Sequence, residues 1–191
     1  INVLVSGYAL YFDQALIQKL SFTPKRITEN KEWYRMITGG FVHGGLGHLA
    51  FNMITLFFFG PVLEARIGSL FFLAVYFGAE LSAHALTLWM HRDTPGYSAV
   101  GASGAISGLL FSFCLFHPFQ RIYLFFAVGI PAWLFALGFI VFSVMAMRKR
   151  ETGGIGRVAH EAHLGGAIGG LIITLLLEPT ALGTFLRQIG F

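Results

Sequence analysis

Charged residues and cysteine are scarce in this chain of 191 residues. Asp, Glu, Lys and Arg make up 12% of the residues, whereas hydrophobic residues make up 55%. An average soluble domain carries about 25% charged residues. This shortage leaves too little polar surface to cover a water-facing exterior, so the sequence predicts a membrane protein. The single cysteine, Cys114, excludes a disulfide framework and a multi-cysteine metal site, and its apolar surroundings favour a small buried thiol.

An extended basic face is also missing, although the formal net charge is +4. The 13 Lys and Arg residues are scattered between apolar runs. A nucleic-acid-binding protein needs a basic face, so no nucleic-acid partner is expected.

Long apolar runs organise the rest of the chain. A helix needs about 20 mostly apolar residues to cross the hydrocarbon layer. Residues 1–12 form a shorter run, which we interpret as a first span clipped at its N-terminus. The pattern predicts an all-α, polytopic bundle of six transmembrane helices that forms a single membrane domain over residues 1–191. The five further runs are His48–Ile67, Leu70–Met90, Ser103–Phe116, Ile122–Met147 and Ala162–Leu177.

The longest connection, Ser21 to Gly47, is polar at first and then rich in aromatic residues and glycine. Trp33 and Tyr34 are residue types favoured at the membrane surface. We therefore expect a long first loop that is folded and lies in the interface. The run Ser103–Phe116 is too short to cross the bilayer, which predicts a shielded helix that begins partway into the membrane at a wet cavity.

Polar residues inside the apolar runs indicate where chemistry takes place, because each is costly in hydrocarbon. His48 and Asn52 are four residues apart and share one helix face. Ser103 opens a helix, where free N–H groups and the positive dipole end favour a developing anion. His163 stands near the start of the last run. These residues can supply a nucleophile, a base and oxyanion donors for acyl transfer.

Glycines spaced by four residues predict how two of these helices meet. Gly104 and Gly108 follow Ser103, and Gly166 and Gly170 follow His163. Such spacing lets helices approach closely, which would bring Ser103 and His163 within hydrogen-bond reach. The only aspartates, Asp13 and Asp93, are not placed to complete a triad, so the sequence favours a Ser–His dyad.

Taken together, these motifs resemble those of the rhomboid family of intramembrane serine proteases over nearly the whole chain. The resemblance implies that Ser103 is the nucleophile, that His163 is the general base, and that His48, Asn52 and the N–H groups of Ala102 and Ser103 bind the oxyanion. It implies structural roles for a further set of residues. These are Arg35, His43, Glu64, Gly101, Gly104, Gly166 and Gly170.

The resemblance also implies the setting of the reaction. The expected substrates are transmembrane proteins, cleaved in or near their membrane-spanning segments with no metal and no organic cofactor. The expected location is the lipid bilayer, as a multi-pass protein of the bacterial inner membrane. The family usually opens its active site away from the cytoplasm. However, the basic residues near the site, including the predicted interfacial anchor Arg148-Lys149-Arg150 and Arg157, favour the opposite orientation.

Two positions depart from the family pattern. Tyr34 stands directly before Arg35, where the family often has tryptophan. Ser107 stands four residues after Ser103, where the family commonly has an aromatic residue that stacks on the catalytic histidine. Since serine cannot stack, the sequence leaves open what orients the His163 ring.

The same sequence leaves other functions open. His160-Glu161-Ala162-His163 resembles a zinc motif, but its histidines are three residues apart where that motif needs four. A non-catalytic rhomboid-like protein that binds transmembrane clients is the main alternative, and a transporter is a weaker one because no duplicated half is visible. Glu80 and His84 are interpreted as a buried polar pair.

Overall fold

The computed structural model describes residues 1–124, 127–148 and 159–191. This part of the chain is mostly helical. Lys149 and Arg150 of the predicted anchor, and Arg157, lie outside the described residues. The helices are α1 (Asn2–Tyr11), α2 (Ala15–Leu20), α3 (Pro24–Glu29), α4 (Arg35–Thr38), α5 (Leu46–Ile67), α6 (Ser69–His91), α7 (Ser103–Phe116), α8 (Ala132–Arg148), α9 (His160–Leu177) and α10 (Thr180–Gln188), and the strands are β1 (Arg121–Leu124) and β2 (Val128–Pro131).

Three of the described helices are long and apolar enough to cross a membrane, namely α5, α6 and α9. They contain 22, 23 and 18 residues and overlap the runs predicted from hydropathy, with ends that differ by two residues or fewer. Gly68 alone separates α5 from α6. Its φ of +82° suits glycine, which has no Cβ to strain. The total of six spans remains a prediction.

Helix α7 is the buried centre of the bundle and has the bounds predicted from the sequence. Of its 14 residues, every one after Ser103 is buried. At 1.5 Å per residue the helix is about 21 Å long, shorter than the hydrocarbon layer. It packs against α5, α6, α8, α9 and α10. Because the helix is apolar or small on all sides, it is stable only when surrounded. Cys114 is buried within it, as predicted.

The predicted span Ile122–Met147 is wrong at its start, and the chain is not purely α-helical. Residues 121–131 include an antiparallel pair of strands, with Arg121 opposite Pro131 and Leu124 opposite Val128. Hydropathy cannot separate a short apolar strand from the start of a helix. The β-branched and aromatic residues of these two segments favour a β-strand. The helix begins only after Pro131, which lies at the end of β2.

The connection from Ser21 to Gly47 is folded, as expected. It contains α3, α4 and a 3₁₀ turn at Gly39–Phe41. Trp33 and Tyr34 are exposed on its surface. The position of this loop in the membrane interface remains a prediction.

Candidate active site

Ser103 and His163 lie within hydrogen-bond distance of each other. Ser103 is the first residue of α7, and His163 lies in the first turn of α9. Ser103 Oγ is 2.8 Å from His163 Nε2. The two side chains are 60 residues apart in sequence, so their contact depends on how α7 and α9 pack. This arrangement allows the imidazole to accept the hydroxyl proton.

The glycine faces of α7 and α9 meet, as their spacing predicts. A Cβ added at Gly166 would lie 2.1 Å from the carbonyl oxygen of Gly104. A Cβ added at Gly170 would lie 2.3 Å from the Cα of Gly108. No larger residue fits at either position without moving backbone, so these glycines set the distance between the two helices.

The turn before Ser103 brings His48 against the backbone. Gly101 has a φ of +112°, and a Cβ there would lie 2.4 Å from His48 Cε1. Both the conformation and the space therefore require glycine. His48 stands in the first turn of α5, and no hydrogen-bond partner for its ring is found in the described part of the chain. Its imidazole N–H is consequently available to a substrate.

His43 connects Asn52 to α1 through a chain of hydrogen bonds. Asn52 Nδ2 donates to His43 Nε2 at 2.9 Å, and His43 Nδ1 lies 2.8 Å from Ser6 Oγ. Ser6 Oγ in turn donates to the carbonyl oxygen of Phe41 at 2.9 Å. These partners place the His43 proton on Nδ1. Burial, with a smaller contribution from His48, lowers the pKa of His43 to about 4, so the ring is neutral at pH 7.

The backbone N–H groups of Ala102 and Ser103, at the start of α7, differ in whether an acceptor lies nearby. The N–H of Ala102, a predicted oxyanion donor, points to His43 Nε2 at 3.4 Å. The N–H of Ser103 has no acceptor among the described residues. It belongs to the first turn of a helix, where such groups are free to bind an anion.

The ring of Phe139 on α8 packs beside His163. It supplies the aromatic contact that Ser107 cannot make. The two rings are stacked, with centroids 5.8 Å apart and planes at 28°. Ser107 instead donates to the carbonyl oxygen of Ser103 at 2.7 Å. Sequence reasoning missed Phe139, because nothing in an apolar helix marks one phenylalanine among many. It also missed Ser6, although a polar residue in an apolar run is a usable signal.

A cavity of about 510 Å³ opens beside the two side chains. Ser103, His163, His48 and Asn52 all line it. A peptide bond placed there would face the hydroxyl, the imidazole and the predicted oxyanion donors together. Glu80 and His84 line the same cavity.

Two residues with predicted structural roles make contacts of different strength. Arg35 is fully buried, and its guanidinium donates to Glu32 and to the carbonyl oxygens of Gln18 and Ser21. It therefore holds the first loop together. Glu64 accepts a hydrogen bond from Ser69 at 2.6 Å near the surface, across the turn between α5 and α6.

Glu161, the glutamate of the zinc-like motif, contacts two side chains outside the motif. Glu161 accepts a hydrogen bond from Tyr97 and lies 3.2 Å from His91 Nε2, so it ties α9 to the end of α6 and the following loop. Burial and the Glu161 carboxylate raise the pKa of Tyr97. No three His, Cys, Asp or Glu side chains converge as a metal site within residues 1–124, 127–148 and 159–191.

The site lies within a region that matches a known domain family. The sequence profile of the Rhomboid domain matches residues 30–180, which include all the side chains that line the cavity. The chain belongs to the rhomboid family. It is therefore an integral membrane protein of a family that includes proteases.

Three relatives illustrate the range of the family. RHOMBOID-like protein 12, mitochondrial, of Arabidopsis thaliana is 30% identical over 149 residues, which cover 70% of this chain and 43% of the relative. Rhomboid protein 1, mitochondrial, of Saccharomyces cerevisiae (strain ATCC 204508 / S288c) is 29% identical over 177 residues, which cover 90% of this chain and 49% of the relative. Rhomboid protease GluP of Bacillus subtilis (strain 168) is 27% identical over 158 residues, which cover 83% of this chain and 29% of the relative.

The matched region spans less than half the length of each of these relatives. Two of them are named as mitochondrial and one comes from a bacterium. The comparisons thus identify the family without selecting the bacterial inner membrane, which remains a prediction.

Proposed function

We propose that this rhomboid is an intramembrane serine protease that hydrolyses peptide bonds in or near the transmembrane segments of other membrane proteins. The observation that carries the proposal is the 2.8 Å contact between Ser103 Oγ and His163 Nε2 at the edge of a cavity. A buried serine used only for packing needs neither a histidine partner nor an adjoining cavity.

The first half of the reaction forms an acyl-enzyme. As Ser103 Oγ attacks the scissile carbonyl carbon, His163 Nε2 takes the hydroxyl proton. The negative charge that develops on the carbonyl oxygen is bound by donors from His48, Asn52 and the N–H of Ser103. When the C–N bond breaks, the His163 imidazolium returns the proton to the leaving amine.

The second half of the reaction uses water. A water molecule in the cavity loses its proton to His163 Nε2 and attacks the ester carbonyl carbon. The same donors bind the second oxyanion, and His163 then protonates Ser103 Oγ as the ester bond breaks. One imidazole thus acts as base and then acid in each half, with no carboxylate required as a third member.

The substrate class follows from the position of the site within the bundle. An intact helix engages its own carbonyls in hydrogen bonds, so a helix that unwinds easily is the expected substrate. We propose a small residue beside the scissile bond, a single membrane domain over residues 1–191 and the bacterial inner membrane as the location. The Tyr34 and Ser107 departures leave both proposed catalytic residues in place.

The test is cleavage of a transmembrane substrate by the purified protein in detergent. The native protein should form product and react with a fluorophosphonate, whereas Ser103→Ala should do neither and should keep its melting temperature. A chelator should have no effect. Product formation by Ser103→Ala contradicts the serine mechanism, and a folded native protein that binds the substrate without cleaving it supports the client-binding alternative.

A further inference from the structure

Glu80 and His84 on α6 contact the segments on both sides of Ser103, although the proposed mechanism gives them no part. They stand one turn apart, and each is only 3% exposed. Glu80 Oε1 lies 3.5 Å from His84 Nε2. A polar pair buried this deeply in an apolar bundle is costly, so the contacts that hold it indicate what it does.

Glu80 caps the start of α7 from outside that helix. The first N–H groups of a helix have no partner within it, and Ala102, the residue before α7, has no side-chain oxygen to cap them. Glu80 Oε2 accepts a hydrogen bond at 3.0 Å from the N–H of Ala105 in the first turn. The carboxylate also lies at the positive end of the helix dipole. The start of α7 is thereby tied to α6 two residues after Ser103.

The turn before α7 rests on the same pair through the first loop. The N–H of Gly101 donates to the carbonyl oxygen of Gly39 at 2.9 Å. A Cβ added at Gly39 would lie 3.1 Å from His84 Cε1, and one added at Gly40 would lie 2.5 Å from Glu80 Oε1. The two loop glycines therefore lie directly against the pair, which sets how far the loop reaches toward Gly101.

His84 also supports a second link between the first loop and this segment. Its imidazole stacks on Phe22, with centroids 4.4 Å apart. Phe22 and Ala99 exchange two backbone hydrogen bonds of 3.0 Å. His84 Nδ1 lies 2.8 Å from the carbonyl oxygen of Met36 and donates to it, because a carbonyl oxygen can only accept. The ring is thus fixed on one side by the loop backbone and on its face by Phe22.

We infer that Glu80 and His84 are positioning residues that hold Ser103 Oγ against His163 Nε2 for attack. The chain is hydrogen-bonded at two points before Ser103 and at one point after it, and all three links rest on this pair. Because α7 begins at Ser103, a shift of its first turn moves the nucleophile directly. A misplacement of about 1 Å in a reacting group can lower the rate about 10²-fold.

This inference rests on the proposed function, and the experiment separates the two by measuring two reactions of the same serine. Cleavage of a transmembrane substrate gives kcat and KM. The rate constant for labelling by a fluorophosphonate reports the reactivity of Ser103 without a substrate helix, and it does not depend on the fraction of folded protein. The melting temperature is measured for every variant.

Glu80→Met has a side chain of similar length without an acceptor for the Ala105 N–H. Both kcat and the labelling rate constant should fall by about tenfold to a hundredfold, with a smaller change in KM. Glu80→Gln keeps an oxygen for Ala105 and can donate to His84 Nε2, so it should recover most of both rates. Thr87→Val is the matched control and should keep the native rates. Thr87 is buried on the same helix, and its hydroxyl donates to the carbonyl oxygen of Ala83, one turn earlier.

Native rates in a folded Glu80→Met variant overturn the inference. An equal loss in Glu80→Gln also overturns it, because the hydrogen bond to Ala105 would then not matter. A loss of cleavage with native labelling does the same, since Ser103 would still be in position.

If Glu80→Met does not fold, Glu80→Asp takes its place with the same expected losses, because its carboxylate is one methylene shorter and withdraws from Ala105. If neither variant folds, the pair is structural only and the inference is overturned. A native protein that neither cleaves the substrate nor reacts with the fluorophosphonate overturns the proposed function, and the inference with it.

Discussion

Phe139 of α8 stacks on the imidazole of His163, with ring centroids 5.8 Å apart. Phe139 also makes an edge contact with Phe111 of α7, at 5.6 Å between centroids. The aromatic partner that the family usually places on the serine helix is thus replaced here by one from a neighbouring helix. The position of α8 therefore contributes to the orientation of the proposed base.

Replacing Phe139 by leucine should lower kcat by a few-fold to about tenfold, with a smaller change in KM. An aromatic contact contributes roughly 0.5–1.5 kcal/mol beyond its buried area, and its loss lets the His163 ring rotate away from Ser103. Phe139→Tyr keeps the ring and should retain most of the activity. Steady-state kinetics of both variants test this, and equal losses for leucine and tyrosine would contradict a stacking role.

Loss of His163, the proposed base, should lower activity much more than loss of the nearby His160. His163→Ala should lower kcat by about 10²–10⁴, the contribution of a positioned general base. His160→Ala should keep most of the activity, because His160 packs edge-on against Phe142 and is not among the residues that line the cavity. Kinetics and melting temperature should be measured for both. A similar loss in two folded variants would count against the assignment of the base.

Much of the site was predictable because polar residues are energetically costly in hydrocarbon and therefore rare there. A serine, histidines and an asparagine in apolar runs stand out, and the glycine spacing near Ser103 and His163 indicates which helices touch. The strands after Arg121 were not predictable, since apolarity alone does not distinguish a strand from a helix. The roles of Phe139 and Glu161 depend on contacts across the fold that no local pattern records.

Asn52→Ala separates oxyanion binding from folding. Removing one preorganised donor should lower kcat by about 10²–10³ with a small effect on KM. The melting temperature should change little, because His43 Nε2 keeps the Ala102 N–H as a donor. Thr55→Val serves as a control on the same helix, since the Thr55 hydroxyl donates to the carbonyl oxygen of Phe51, one turn earlier. Unfolding of Asn52→Ala would instead make the His43–Asn52 bond structural.

Gly166→Ala should destabilise the protein and remove its activity together. Its new Cβ would lie 2.1 Å from the Gly104 carbonyl oxygen, so α7 and α9 must separate. Overpacking of this kind costs about 1–3 kcal/mol and would pull Ser103 away from His163. Gly138→Ala is the control, because no atom lies within 4 Å of its added Cβ. Thermal unfolding and kinetics should leave that variant near the native values, and a harmless Gly166→Ala would contradict the close helix contact.

The last prediction concerns pH and His43. Burial lowers the folded-state pKa of His43 from 6.5 to about 4, so between these values the unfolded chain binds a proton that the folded chain excludes. The native protein should lose stability as the pH falls through this range, and this group should contribute no pH dependence above about pH 7.

His43→Gln keeps a hydrogen-bonding side chain but cannot titrate. The difference in melting temperature between native protein and variant should shrink from about pH 7 to pH 5, a window above the ordinary carboxylate range. The Glu32 carboxyl group does not titrate in this pH window, because its hydrogen bond from Arg35 lowers its pKa. A difference that stays constant with pH would mean that His43 has the same pKa in the folded and unfolded protein, and its burial and hydrogen bonds would then not exclude a proton.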